Sequence, residues 1–348
     1  MKFVDWKQLH ETCVGIFTAA GVPEADADDM AEVLILADMR GIASHGVVRS
    51  RRYIECIQCG GIRPDAPLRI VEETPVMLRT CAGGGLGIPA SCKTLRRMLE
   101  KAVRQPIAIA TVNHSDHFGA AGYYALKCAE AGLIGFSMSN TCPLVAVTGA
   151  AEAGIGNNPF AYAAPAGRYR AVLYDVCMSV VARGKIEIAL QEKRRIPEGW
   201  ILNREGRPTT DPADSFNGGV MLPFGGHKGY GFALMVELLS GVLADAGTLE
   251  NVHSWNTVPG EDSNTGHCFG AINPEFFGGL KRFVAETERV IEKLCSGRRA
   301  PGVERIFYPG EIEFQKEKAA RERGVPLGDA SLEELRGAAS LTGAVCKL

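Results

Sequence analysis

Residues 107–139 read IAIATVNHSDHFGAAGYYALKCAEAGLIGFSMS. Two strand-like runs, at 107–112 and 133–139, flank a helical run at 120–131. Runs of the same two kinds continue on either side of this stretch, strand-like at 76–80 and 268–272 and helical at 91–103. This alternation predicts a sheet domain of the α/β or α+β class, because both classes produce it.

Both ends of the chain carry helical periodicity instead. Apolar residues at helical spacing predict three helices within residues 1–60, and Gly21 and Gly41 mark the ends of the first two. The helical pattern returns at about residue 279 and continues to the C-terminus, with an interruption at 308–311. The sequence therefore predicts a small helical domain beside the sheet domain.

The composition excludes several classes of protein. The 348 residues include 38 Lys and Arg against 40 Asp and Glu, and 46% of the chain is apolar, as in a globular protein. This near-neutral balance argues against nucleic acid or an anionic membrane surface as a partner. No apolar run approaches the roughly 20 residues that span a bilayer, and the N-terminus lacks a secretory signal. We therefore expect a cytoplasmic protein whose 11 scattered cysteines are mostly reduced thiols.

One segment imitates a dinucleotide-binding loop. The residues GLGIPA at 85–90 fit the pattern G-x-G-x-x-A and lie between a strand-like run and a helical run. In the Rossmann fold the next strand ends in an acidic residue, whereas here it leads into Asn113 and His114. Pro89 also removes a backbone N–H from the turn that would bind the pyrophosphate. We therefore favour a glycine-rich turn over a Rossmann site.

The segment RGIASHGVVR at 40–49 carries the first candidate for chemistry. It places the His45 imidazole beside the Ser44 hydroxyl, between Arg40 and Arg49. Imidazole exchanges protons near neutral pH, and arginine binds a carboxylate through two parallel hydrogen bonds. The combination favours a 2-oxo acid as substrate, and the alternative is a helix end with a surface histidine.

The segment NHSDHFG at 113–119 carries the second candidate, where a strand gives way to a helix. His117 is a candidate general acid or base, and a purely structural role is the alternative. His114 and His117 also have a spacing that metal ligands use, but no carboxylate or cysteine cluster completes such a site. The pair Cys56 and Cys59 has zinc-like spacing without a second pair, so we predict no metal site.

Three further residues have patterns typical of cofactor sites. Lys228 follows two glycines and a histidine and opens a helix, an arrangement that favours a phosphate. Asp175 ends an apolar run and can either cap a turn or orient a histidine. Arg183 can bind the 2′-phosphate of NADP, and a solvated surface arginine is the alternative.

The motifs together resemble the malate/L-lactate/L-sulfolactate dehydrogenase family of NAD(P)-dependent oxidoreductases. That family also includes ureidoglycolate dehydrogenase, diketogulonate reductase and the piperideine/pyrroline-2-carboxylate reductases. The resemblance covers almost the whole chain. It rests on RGIASHGVVR (40–49), HFGAAGYY (117–124), GNNPFAYAAP (156–165), ARGKI (182–186), IPEGW (196–200), LPFGGHKGYG (222–231) and YPGE (308–311).

The resemblance implies an α+β fold that is not a Rossmann fold. It implies a mixed-sheet cofactor domain at 71–296 and a helical domain built from both chain ends, 1–70 and 297–348. It further implies a homodimer in which the second subunit completes the active site. The implied reaction is hydride transfer between NADH or NADPH and C2 of a small 2-oxo or 2-hydroxy acid, with reduction of a cyclic 2-imino acid as the alternative.

The resemblance also implies roles for individual residues. Ser44 and His45 match the pair that faces nicotinamide and substrate, and Arg49 matches the arginine that binds the substrate carboxylate. His117 matches the proton acceptor of the ureidoglycolate branch; we keep both histidines and favour His45 as the proton donor. Catalytic and cofactor roles are both implied for Asp175, and cofactor contacts are implied for Thr141, Val176, Cys177, Met178, His227, Lys228, Pro309, Gly310 and Glu311.

Two departures from the family pattern affect these expectations. Residues 147–150 read VTGA where the family commonly has a Pro-x-Gly-Gly turn. That turn is expected near the substrate pocket, so the substrate of this protein can differ from those of other family members. Residues 175–179 read DVCMS in place of DMATS, which changes the expected cofactor contacts but keeps the aspartate. Two other classes of protein remain as alternatives: a metal-dependent lyase or hydrolase that uses His114 and His117, and a binding protein without catalysis.

Overall fold

The computed structural model describes residues 1–348, which form ten α-helices and 14 β-strands. The helices are α1 (Trp6–Ala19), α2 (Glu24–Met39), α3 (Ser50–Cys59), α4 (Gly87–Ala102), α5 (Ala121–Glu130), α6 (Arg183–Gln191), α7 (His227–Val236), α8 (Leu280–Cys295), α9 (Glu311–Arg323) and α10 (Asp329–Thr342). The strands are β1 (Lys2–Val4), β2 (Arg69–Glu73), β3 (Met77–Cys81), β4 (Ile107–Ser115), β5 (Ile134–Ser139), β6 (Val145–Ala146), β7 (Ala153–Ile155), β8 (Phe160–Pro165), β9 (Ala171–Val176), β10 (Ile201–Leu202), β11 (Pro208–Thr209), β12 (Val220–Met221), β13 (Thr265–Ile272) and β14 (Val325–Leu327).

Local chemistry sets the ends of several helices as the sequence predicts. The side chain of Asp5 accepts hydrogen bonds from the backbone N–H groups of Lys7 and Gln8, which caps α1. Helix α3 ends at Gly60, which adopts a left-handed conformation with φ +86° that glycine allows without steric cost. Such signals act within a few residues, so they are visible in the sequence alone.

The main sheet has seven strands in the order β2-β3-β4-β13-β5-β8-β9. Only β3 and β4 are parallel, and α4 connects them, because a parallel pair needs a long crossover. All other neighbours in this sheet are antiparallel. The mixed α+β class is thereby confirmed, and a doubly wound parallel sheet is excluded.

The two ends of the chain meet in space. Strand β1 pairs antiparallel with β14, α10 packs against α3 and α1, and α9 packs against α2. An apolar core of 53 buried residues extends from these helices through α4 and α5 to the main sheet. Because this one core crosses the predicted boundaries, the division into 1–70 with 297–348 and 71–296 stays a prediction.

A second, smaller core of 13 buried residues lies around a five-stranded sheet in the order β11-β10-β12-β6-β7. Helix α7 borders this core and continues as a π-helical segment over Glu237–Val242. Buried Glu237 accepts hydrogen bonds there from Asn158 Nδ2 and from the N–H of Leu249, both at 2.9 Å. None of the ten helices combines the length and the apolarity that crossing a bilayer requires.

Candidate active site

The turn between α2 and α3 brings three of the predicted residues into direct contact. Two short 3₁₀ turns, Ala43–His45 and Val47–Arg49, follow α2. Ser44 Oγ lies 2.9 Å from Nδ1 of His45, and Arg49 Nε donates to the carbonyl oxygen of Ser44 at 2.7 Å. The Arg49 Nη atoms make no hydrogen bond to the protein, so they are free to bind an anion.

Arg40 takes no part in this turn, although the sequence places it on the other side of the histidine. Its side chain is buried, and its Nε donates to Glu317 in α9 at 2.9 Å. The guanidinium therefore links α2 to the C-terminal helices. Arg49 is therefore the arginine of the 40–49 motif that stays at this turn.

Asp38, which sequence reasoning missed, stabilises the Ser44–Arg49 turn through a hydrogen bond. Its carboxylate is buried in α2 and accepts the N–H of Val47 at 2.8 Å. Burial raises the pKa of Asp38 to about 7. A Cβ added to Gly46 would collide with this carboxylate, so glycine is required there. The only signal in the sequence was an acidic residue among apolar ones late in α2.

We expect Gly46→Ala to lower stability by about 1–3 kcal/mol and to reduce turnover, because the added methyl pushes the Ser44–Arg49 turn off the Asp38 carboxylate. Thermal unfolding and steady-state kinetics measure the two effects. Gly15→Ala in α1 is the matched control, since a Cβ at Gly15 meets nothing within 4 Å. Equal stability of the two variants would contradict the proposed clash.

His117 lies beside this turn, although it comes from a distant part of the chain. It follows β4, and its ring stacks on the ring of His45 with 5.6 Å between centroids and 26° between planes. Desolvation, helped by the Arg49 charge, lowers the pKa of His45 to about 4. Desolvation, His45 and Arg49 lower the pKa of His117 well below its usual value. Both imidazoles are therefore neutral near pH 7.

Two aromatic residues that sequence reasoning missed surround His117. The hydroxyl oxygen of Tyr53 lies 2.5 Å from His117 Nδ1, and the Trp255 ring stacks on the imidazole at 4.5 Å and 11°. The Nε2 atoms of His45 and His117 have no protein hydrogen-bond partner. Each histidine therefore has one nitrogen held by the protein and one available to a ligand.

The turn before His117 gives the reason for a glycine at position 87, within the glycine-rich segment 85–90. Asp116 Oδ1 accepts the N–H of His117 at 2.6 Å, and Asp116 Oδ2 accepts the hydroxyl of Ser263. Gly87 opens α4 directly against the carbonyl oxygens of Asp116 and His117, where any Cβ would collide. The glycine therefore permits close packing of α4 on the His117 turn.

His114 and Asp175 have partners of their own. His114 is exposed, has φ +45°, and its Nδ1 lies 4.0 Å from Asp262. Asp175 is the penultimate residue of β9, and its Oδ2 accepts the N–H of Gly122 in the first turn of α5 at 2.7 Å. Burial raises the pKa of Asp175 to about 6. Asp175 therefore caps a helix start and makes no hydrogen bond to either histidine.

Several residues with predicted cofactor contacts lie around Asn157. Thr141 Oγ1 donates to Asn157 Oδ1 at 3.0 Å, and the N–H of Met178 donates to the Asn157 carbonyl at 2.7 Å. The carbonyl of Met178 accepts the N–H of Phe224 at 3.0 Å, which joins this segment to the turn before Lys228. Thr141, the segment 176–178 and the start of α7 are thereby brought together.

The remaining predicted cofactor residues lie at two other positions. Pro309 accepts the N–H of Leu173 at 3.0 Å, so the turn 309–311 runs along β9, and Glu311 is buried beside Arg305. Arg183 opens α6 over the ring of Phe216, and its Nε lies 3.6 Å from Glu187.

Comparisons with known proteins agree with this architecture. Residues 4–336 match the family model described as malate/L-lactate dehydrogenase. The chain is 39% identical over 343 residues to a malate dehydrogenase of Pyrococcus abyssi, covering 97% of this chain and 94% of the relative. It is 36% identical to an L-sulfolactate dehydrogenase of Methanocaldococcus jannaschii, covering 93% and 92% of the two chains. The structure of malate dehydrogenase from Pyrococcus horikoshii superposes with a TM-score of 0.90 at 37% identity, covering 99% and 96%.

Proposed function

This chain belongs to the malate/L-lactate dehydrogenase family, and we propose that it transfers hydride between NADH or NADPH and C2 of a small 2-oxo or 2-hydroxy acid. Family membership makes it an NAD(P)-dependent oxidoreductase. One observation supports the substrate class: the free Nη atoms of Arg49 lie in the same turn as His45, which stacks on His117. A guanidinium suits the carboxylate, and an imidazole suits the C2 oxygen.

Different protein residues have different roles in this reaction. The Arg49 guanidinium holds the substrate carboxylate and orients C2. A neutral imidazole accepts the proton of the C2 hydroxyl during oxidation, and the protonated ring returns it during reduction. We keep His45 as the preferred proton carrier, because its Nδ1 is bound to the hydroxyl of Ser44 in the same turn as Arg49. Asp175 supports α5 through Gly122.

The cofactor, when bound, supplies or accepts the hydride. His227 and Lys228 are exposed in the first turn of α7, and no side chain caps this helix start. The Lys228 ammonium beside the positive end of the helix dipole fits the pyrophosphate. We propose further contacts from Thr141, from Asp175, Val176, Cys177 and Met178, from Pro309, Gly310 and Glu311, and from Arg183 with a 2′-phosphate.

Lys228→Ala is expected to weaken NADH binding about tenfold, because the variant removes the ammonium from the proposed pyrophosphate site. Calorimetric titration with NADH and with NADPH measures the change. Lys281→Ala is the matched control, since Lys281 is also exposed near a helix start, in α8. Unchanged affinity of the Lys228 variant for both cofactors would exclude this role.

Arg49→Lys is expected to raise KM for the carboxylate substrate roughly tenfold and to leave KM for the cofactor nearly unchanged, because lysine keeps the charge but loses the bidentate geometry. Steady-state kinetics with each reactant varied in turn give both constants. Arg52→Lys provides the control, as Arg52 pairs with Glu55 at 3.0 Å in α3. A substrate KM equal to that of the wild type would mean that Arg49 is structural.

We also propose that the protein is a homodimer and that it is located in the cytoplasm. Exposed apolar residues along α7 and the π-helical segment support a subunit contact there: Phe232, Leu234, Leu238 and Val242. A partner packed on this face would border the start of α7, where Lys228 lies. That position fits an active site completed by the second subunit.

A substrate panel tests the proposed function. Purified protein is mixed with NADH or NADPH and with the 2-oxo acids that correspond to malate, lactate and sulfolactate, and with cyclic 2-imino acids. Loss of reduced-cofactor absorbance with a 2-oxo acid is the expected result. Turnover of cyclic imines alone would favour the imine reductase alternative, and a folded protein that binds no nicotinamide would contradict the proposal.

A further inference from the structure

We propose that Tyr53 is a positioning residue that determines which ring nitrogen of His117 carries the proton. The inference rests on the proposed function, in which His45 exchanges the proton of the C2 oxygen and the ring of His117 stacks on His45. Tyr53 lies in α3 and is fully buried, and its hydroxyl oxygen lies 2.5 Å from His117 Nδ1. No other side chain bonds to that ring.

A backbone group favours one direction of hydrogen bonding at Nδ1, through a contact too long to decide the tautomer without Tyr53. The N–H of Gly119 donates to His117 Nδ1 at 3.4 Å, and a backbone N–H can only donate. This contact is consistent with Nδ1 as an acceptor, and a hydrogen bond donated by the Tyr53 hydroxyl to the same atom, 2.5 Å away, is the stronger one. With donors at Nδ1, a neutral imidazole carries its own proton on Nε2.

The unpaired Nε2 is the atom that His117 offers to a ligand. A neutral ring with the proton on Nε2 donates a hydrogen bond to a C2 carbonyl oxygen and thereby polarises it. Burial raises the pKa of Tyr53 well above its usual value, so the phenol keeps its proton and stays a donor. The two histidines then have separate roles: His117 donates a hydrogen bond, and His45 exchanges the proton.

Tyr53 can also accommodate a protonated His117. Its hydroxyl lies 3.2 Å from the carbonyl oxygen of His117, which is a second acceptor. When Nδ1 gains a proton, the hydroxyl can turn its hydrogen to that carbonyl and accept Nδ1–H with a lone pair. Tyr53 neither gains nor loses a proton in this change. A phenylalanine at position 53 could do neither.

Trp255 keeps the two ring nitrogens from exchanging places. Its ring lies nearly parallel to the His117 imidazole and 4.9 Å from the ring of Tyr53. The Trp255 carbonyl in turn accepts a hydrogen bond from the thiol of Cys56 at 3.6 Å. A flip of the imidazole would have to displace this packing, so Nδ1 stays beside Tyr53.

The tautomer is measured by NMR on the substrate-free protein with ¹⁵N-labelled histidine rings near pH 7.5, and His117→Gln identifies the signals of His117. We expect the proton of wild-type His117 on Nε2, and a mixture of both tautomers in Tyr53→Phe. A wild-type ring protonated on Nδ1 would overturn the proposal. So would a Tyr53→Phe ring that stays wholly protonated on Nε2. If Tyr53→Phe does not fold, the wild-type spectrum alone decides.

Kinetics separate positioning from stability. Tyr53→Phe is expected to lower kcat for reduction about tenfold to a hundredfold with little change in KM. Tyr124→Phe is the matched control, because this buried phenol donates to the Phe118 carbonyl at 2.5 Å and does not bond to the ring of His117. An equal loss of kcat in both variants would overturn the proposal. The NMR result needs no turnover, so a failure of the proposed function leaves it measurable.

Discussion

His45→Gln is expected to lower kcat roughly 10²- to 10⁴-fold while NADH binding is retained, the range for removal of a general acid or base. The structure places the His45 ring within hydrogen-bonding distance of Ser44, in the turn that carries Arg49. Glutamine keeps a similar size and polarity but cannot exchange a proton. Turnover and calorimetric binding of NADH, measured on the same preparations, separate catalysis from cofactor affinity.

His117→Gln is the comparison that identifies the proton carrier. If His117 only donates a hydrogen bond to the C2 oxygen, its replacement should reduce kcat less than His45→Gln does. Loss of turnover in His117→Gln alone would reverse the two roles. Full activity in both variants would mean that neither ring exchanges the proton and that the two imidazoles are structural.

Glu317→Gln is expected to destabilise the protein by about 3 kcal/mol, because it leaves a buried arginine without its counter-ion. Glu317 lies in α9 and is almost completely buried. Its carboxylate is 2.9 Å from Arg40 Nε and 3.1 Å from Arg170 Nη1. Urea unfolding near pH 7 measures the change. Glu286→Gln, which removes an exposed pair with Arg289, should cost less than about 1 kcal/mol.

The effect of Glu317→Gln should depend on pH in a defined direction. Burial by itself would raise the pKa of Glu317, but Arg40 and Arg170 hold it down at about 2, below the usual 4.5. A depressed folded-state pKa stabilises the protein above the unfolded pKa, and that stabilisation is lost as pH falls through the folded value. The difference between wild type and variant should therefore be largest above pH 4.5 and shrink toward pH 2. A constant difference over that range would contradict the ion-pair explanation.

The sequence by itself determined the local elements and the chemistry that they carry. Helices such as α5 and strands such as β5 were predicted from apolar periodicity, because that periodicity records which face of an element is buried. The motif at 40–49 predicted a histidine, a hydroxyl and an arginine in one turn, and Ser44, His45 and Arg49 meet there, whereas Arg40 binds Glu317. The ordered motifs also identified the family, which the comparisons confirmed.

The tertiary structure alone decided which distant residues meet. The position of β13 between β4 and β5 follows from pairing between strands far apart in the chain, which periodicity does not record. The stacking of His117 on His45 and the hydrogen bond of Tyr53 to Nδ1 depend on the same long-range packing. Asp38 was overlooked for this reason, because a buried carboxylate becomes informative only when the N–H that it binds is known. The sequence therefore supplied the reactive groups, and the fold determined which of their nitrogens and oxygens face one another.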